Sequence, residues 1–222
     1  MNERPDIGRL AIWSLIVALV SLISFSAYFA AGTTNSSSYA LFKWSFAAGN
    51  AIFLCILIVI SLAISNGRPG LRALRRPRIS LLTAIGLGLL AIAGTVVASY
   101  LVTNLGGDPA REQGLLNEHW QSGKLVPFIA SVLVLTVLTP IAEELFVRGL
   151  GFGLFQPFGQ AAAMAVPALA WALMHGLPAA IFPLFVFGIG LGYLRQRSDS
   201  VVPGMVVHGL YNGLAVALAY AI

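Results

Sequence analysis

Charge is what this chain has least of. Aspartate, glutamate, lysine and arginine make up 9% of its 222 residues, against about 25% in soluble domains, and that excludes an ordinary water-soluble globule. Cysteine is almost absent. Cys55 is the one thiol, so no intramolecular disulfide framework exists, and its place inside an apolar run reads as a packed core thiol. No internal repeat and no low-complexity segment is present. The net charge of +5 does not point to nucleic acid, because no basic stripe alternates with aromatics on a polar face. What fills the chain is hydrocarbon: 58% of residues are hydrophobic and the mean hydropathy is +0.88. Long apolar runs satisfy their backbone in lipid only as helices. The fold class is therefore all-α, a polytopic transmembrane helical bundle.

Seven spans are expected, over about 10–31, 39–65, 79–103, 125–155, 160–175, 180–194 and 201–222. The fifth and sixth are short for a hydrocarbon core of about 30 Å, and Pro167, Pro178 and Pro183 interrupt them. Short, broken helices tend to surround a polar cavity. Gly149, Gly151, Gly153, Gly188, Gly190 and Gly192 suit close helix packing. Arg68, Arg72, Arg75, Arg76 and Arg78 cluster between the second and third spans, and Arg195 and Arg197 follow the sixth. By the positive-inside rule both groups are cytoplasmic, which places the amino terminus inside and the carboxyl terminus outside. The expected location is a multi-pass position in a bacterial cell membrane. The longest polar connection, 104–124, falls on the far side, with His119 as an interfacial loop residue.

Between Leu125 and Leu194 the only charged side chains are Glu143, Glu144 and Arg148, joined by one histidine, His175. An ionised group at the bilayer centre costs roughly 2.5–3.5 kcal/mol on insertion scales, so these residues must be compensated or used. Glu144 and Arg148 are spaced i,i+4 with the acid first, the favourable order for a pair on one helix face. Glu143 lies about 100° around the helix from Glu144 and needs a different partner. In the last span His208 and Asn212 are also four apart, an imidazole and a carboxamide on one face. Rise per residue puts Glu143 and His208 toward the cytoplasmic half and His175 nearer the far side; a connection at 156–160 that dips into the protein relieves that mismatch.

These residues resemble the CPBP family of intramembrane proteases (CAAX protease and bacteriocin-processing, or Abi), related to the type II CAAX prenyl endopeptidase. Glu143-Glu144-Leu145-Phe146-Val147-Arg148, followed by Gly149, matches the first motif. Trp171 to His175 matches the second, with tryptophan where the family usually has phenylalanine, a change that touches aromatic packing alone. His208-Gly209-Leu210-Tyr211-Asn212, preceded by Ser200 and Pro203, matches the third. The resemblance divides the chain into amino-terminal spans with an outer loop, 1–124, and a catalytic core, 125–222.

The resemblance implies an endopeptidase acting on membrane-tethered substrates, CAAX-type prenylated or other, with lipid as its surroundings. Glu143 is the candidate base for a water, with His175 sharing its activation. Glu144 holds Arg148 or orients a histidine, and His208 with Asn212 stabilises the oxyanion. A second version makes His175, His208 and one glutamate ligands of zinc or another divalent metal, although no His-Glu-x-x-His element is present. Either version needs water inside the membrane, expected in a conical cavity open toward the cytoplasm. Two other readings use the same residues: a non-catalytic scaffold or bacteriocin self-immunity protein of this fold, and a proton-coupled transporter.

Overall fold

The computed structural model describes residues 5–31, 40–65, 73–113 and 120–221. Arg4, Arg68, Arg72, Glu118 and His119 lie outside that set. Among the described residues there is no strand, and seven apolar helices follow one another: α1 Ile7–Ala31, α2 Trp44–Ile64, α3 Leu81–Asn104, α4 Leu125–Phe158, α5 Gln160–Met174, α6 Ile181–Ser198 and α7 Val202–Ala221. Six are long and apolar enough to cross a membrane, and α5, with 15 residues, is the short one.

Composition dictates these helices and their outer surface. Leu22, Ile56, Val59, Leu82, Leu90 and Val97 are all more than half exposed. Such a surface is a liability in water and the matching one in lipid. Cys55 belongs to this outer surface: it is exposed, so the expectation of a packed core thiol is corrected. An apolar run names the solvent of a helix without naming the face that meets its neighbours. Pro167 sits inside an unbroken α5, while Pro178 and Pro183 open helical turns instead of interrupting them, the place where a missing N–H costs least.

The core lies where α4 passes between the other helices, with Phe146, Val147, Trp171, Phe187, Leu191 and Leu194 at most 2% exposed. α6 packs along α3 and α5, and Gly190 is what permits the first contact, since a Cβ there would meet Ala91 Cβ at 2.5 Å. Gly188 and Gly151 are equally tight, against Ala168 and Trp13, whereas Gly153 faces open space and Gly149 and Gly192 make ordinary contacts.

α4 is not a uniform α-helix. Residues Val134–Leu138 and Glu144–Gly151 wind as π-helix, a form that concentrates at functional sites because it frees carbonyls from the ladder. Trp13 of α1 donates its indole N–H to one of them, Phe146 O, at 3.2 Å and stacks on the Phe146 ring.

Ion pairs and rings mark the two ends of the bundle. At one end Asp199 accepts from Arg75 at 2.9 Å and pairs with Arg78 and Arg195 at 3.2 Å, so the arginine segment and the α6–α7 turn meet. At the other, Glu112 receives Tyr28 Oη at 2.8 Å and the backbone N–H groups of Ala179 and Ala180 at 2.7 and 3.1 Å. Phe42, Trp120, Phe128 and Tyr220 form a ring cluster there.

Candidate active site

Three helices deliver the polar side chains to one place. α4 supplies Glu143 and Glu144 at the junction between an α turn and the second π segment. α5 ends at His175, its C-cap, and α7 supplies His208 and Asn212. Glu143, His175, His208 and Asn212 line a single cavity of about 460 Å³, and Glu144 and Arg148 lie beneath it. The mismatch in depth is resolved by the shortness of α5, which ends inside the bundle. The connection at 156–160 does not dip inward: Gln156, Phe158 and Gly159 are exposed.

Glu144 and Arg148 pair as their spacing predicts, Nη1 to Oε1 at 2.8 Å, and both are at most 2% exposed. The guanidinium has further partners. Its Nη2 donates to Gly188 O at 3.2 Å, and its Cζ sits 4.9 Å from the Trp171 ring. Glu144 Oε1 also faces His208 Nδ1 at 3.3 Å, while Glu144 Oε2 is buried with no hydrogen-bond partner. Gly204 makes room for that oxygen, since a Cβ would stand 2.9 Å from it.

A carboxylate can only accept, so the Glu144 contact places a proton on His208 Nδ1 and turns Nε2 toward Glu143, 3.8 Å away. His175 is fixed the same way: its Nδ1 meets the Trp171 carbonyl at 2.8 Å, an acceptor, which leaves Nε2 as the free ring nitrogen. Asn212 Nδ2 donates to Leu135 O at 2.9 Å, a carbonyl within the first π segment. One of its two N–H groups is thereby used and the other is left for the cavity.

The partner that Glu143 needs is Trp171, whose Nε1 donates to Glu143 Oε2 at 2.5 Å. The tryptophan therefore does more than fill an aromatic slot, which corrects the sequence reading. Its ring also packs edge-on against His175 and His208, with centroids 4.7 and 5.5 Å away. The signal was in the sequence, a tryptophan where the motif usually has phenylalanine. Trp171→Phe keeps the ring and removes the donor; losing a hydrogen bond to a charged group costs about 1.5–3 kcal/mol, so kcat should fall roughly tenfold to a hundredfold with KM unchanged, measurable by steady-state peptide cleavage. Asn50, Thr139 and Tyr211 also line the cavity and were not singled out by the sequence.

Among the described residues no three histidine, cysteine, aspartate or glutamate side chains converge as a metal-binding group. Glu144 Oε1 is occupied by a guanidinium and an imidazole, and His175 Nδ1 by its own helix. His175, His208 and a glutamate form no such group as arranged, and the metallopeptidase version gains no support from them.

Comparison with known families bears on the same stretch. The family model described as type II CAAX prenyl endopeptidase Rce1-like matches residues 125–214. Over residues 125–214, less than half of its length, this chain is similar to that CAAX protease family. The matched stretch holds Glu143, Glu144, Arg148, His175, His208 and Asn212 together. No curated protein and no solved structure matches the chain. The six helices long and apolar enough to cross a bilayer, with this partial similarity, support an integral multi-pass membrane protein.

Proposed function

We propose that this Rce1-like chain is an endopeptidase that hydrolyses a peptide bond of a membrane-tethered polypeptide, using water activated by Glu143 and no metal. The observation that carries this is the convergence of Glu143, His175, His208 and Asn212 on one cavity inside the bundle. A carboxylate, an imidazole with a free Nε2 (His175), a second whose Nε2 faces that carboxylate (His208) and a half-used carboxamide are the parts that amide hydrolysis needs.

Glu143 takes a proton from a water held against His175 Nε2, and the hydroxide adds to the scissile carbonyl carbon. The oxyanion is met by the spare Asn212 N–H and by His208, which donates from Nε2 when it also carries a proton there. Glu143 then returns its proton to the amine nitrogen as the carbon–nitrogen bond breaks. Glu144, held by Arg148, fixes the His208 ring through Nδ1. Trp171 holds one Glu143 oxygen and leaves the other for the water. Phe46, Phe53, Leu54, Leu184 and Val216 give the cavity apolar walls, suited to a hydrophobic substrate segment.

The test is cleavage of a lipid-anchored fluorogenic peptide by purified protein, with and without a strong chelator. Cleavage that survives the chelator is expected. Loss on chelation with recovery on added zinc would overturn the metal-free route, and no cleavage in any condition would overturn the endopeptidase. In the same assay Asn212→Ala should lower kcat by about 10²-fold, the cost of one oxyanion donor. A loss below about tenfold would make Asn212 a purely structural anchor for Leu135.

A further inference from the structure

The catalytic groups sit above a sealed floor. Every residue of Glu144–Gly151 is buried, and Leu191, Leu194, Ser198, Ser200 and Val201, which continue toward the arginine end, are at most 1% exposed. The cavity runs the other way. Its walls come from the first half of α2, the first turn of α6, the part of α4 before Glu144, and α7 from His208 to Tyr220. It reaches Ala40, Glu112, Gln113 and Tyr220, at the end where Tyr28 meets Glu112.

The two ends differ sharply in charge. Among the described residues Arg9, Arg75, Arg76, Arg78, Arg195 and Arg197 stand at the sealed end, with Asp6 and Asp199 as its acids. The open end has Lys43, Arg111 and Lys124 balanced by Asp108 and Glu112. Short connections rich in lysine and arginine stay in the cytoplasm, so the sealed end faces the cytoplasm. The expectation of a cavity open toward the cytoplasm and the positive-inside rule cannot both hold for this shape.

We propose that the active site is entered from the non-cytoplasmic face, and that its substrates are membrane polypeptides whose scissile segment has crossed the bilayer. This rests on the endopeptidase reading. His208 lies 12 residues before Tyr220 on α7, roughly 18 Å of helix, so an extended segment of about five or six residues must enter before its carbonyl reaches Glu143. A folded domain is excluded by that depth. A tail that never leaves the cytoplasm is on the wrong side of the floor.

Sealed vesicles decide the matter. A lipid-anchored fluorogenic peptide inserted into the outer leaflet of right-side-out vesicles carrying the full chain should be cleaved at once, and inverted vesicles should stay silent until detergent opens them. Cleavage by intact inverted vesicles, with right-side-out vesicles silent, overturns the proposal. Should detergent release no cleavage from either preparation, the endopeptidase reading fails and sidedness is settled by labelling. In a Cys55→Ser background, a membrane-impermeant maleimide applied to intact cells should modify Gln113→Cys and reach Arg197→Cys only after permeabilisation. The reverse pattern overturns the proposed entrance whatever the activity.

Discussion

Glu143→Gln should lower kcat for peptide cleavage by about 10²–10⁴-fold, the range a positioned general base contributes. Glutamine has nearly the same shape, and its carbonyl oxygen can still accept the Trp171 N–H that Glu143 Oε2 accepts. The substitution therefore removes basicity while leaving the packing of the site in place. The buried ion pair with Arg148 belongs to Glu144 and is untouched by this substitution. A thermal unfolding midpoint in detergent that matches the unaltered protein, with cleavage lost, is the expected combination. Activity within tenfold of the original would remove Glu143 from the chemistry.

Arg148→Met should instead destabilise the fold by about 3–5 kcal/mol, the usual cost of breaking a buried ion pair by removing one partner. The guanidinium is 2% exposed and satisfies Glu144, Gly188 O and the Trp171 face together. Without it Glu144 keeps one contact, His208, and a carboxylate is stranded under the cavity. The double substitution Glu144→Gln with Arg148→Met should recover much of the loss, since a buried pair replaced as a unit is often close to neutral. Unfolding in detergent, followed by far-UV circular dichroism, reads both values. A double variant no more stable than the single one would show that the arginine acts mainly through Gly188 and Trp171. Gly188 belongs to this arrangement, because a Cβ there would stand 3.2 Å from Arg148 Nη2 and 2.9 Å from Ala168 Cβ.

Much of this was legible in the sequence because lipid imposes composition. Each of the seven helices falls within a few residues of its expected span, with α4 running on to Phe158. The polar residues stood out for the same reason, charge being costly in such surroundings. Other features left no such mark. A π turn inside an apolar run looks like any other apolar residues, so the carbonyls that hold Trp13 and Asn212 were invisible. The Trp171 donor to Glu143 needed two helices to be placed before it could be seen. Hydropathy treats each span as a slab, so it could not say which end of the bundle is hollow. For Cys55 it could not distinguish the neighbour-facing side of α2 from the lipid-facing one.

The distribution of the site over the chain also bears on its biosynthesis. Glu143 enters the membrane with α4, whereas His208 and Asn212 arrive only with α7, the last helix described. Domains and segments are made from the amino terminus onward, so a nascent or stalled chain holds Glu143 before it has His208 and Asn212. On the proposed mechanism, a product truncated before Val202 lacks His208 and Asn212 and should cleave no peptide.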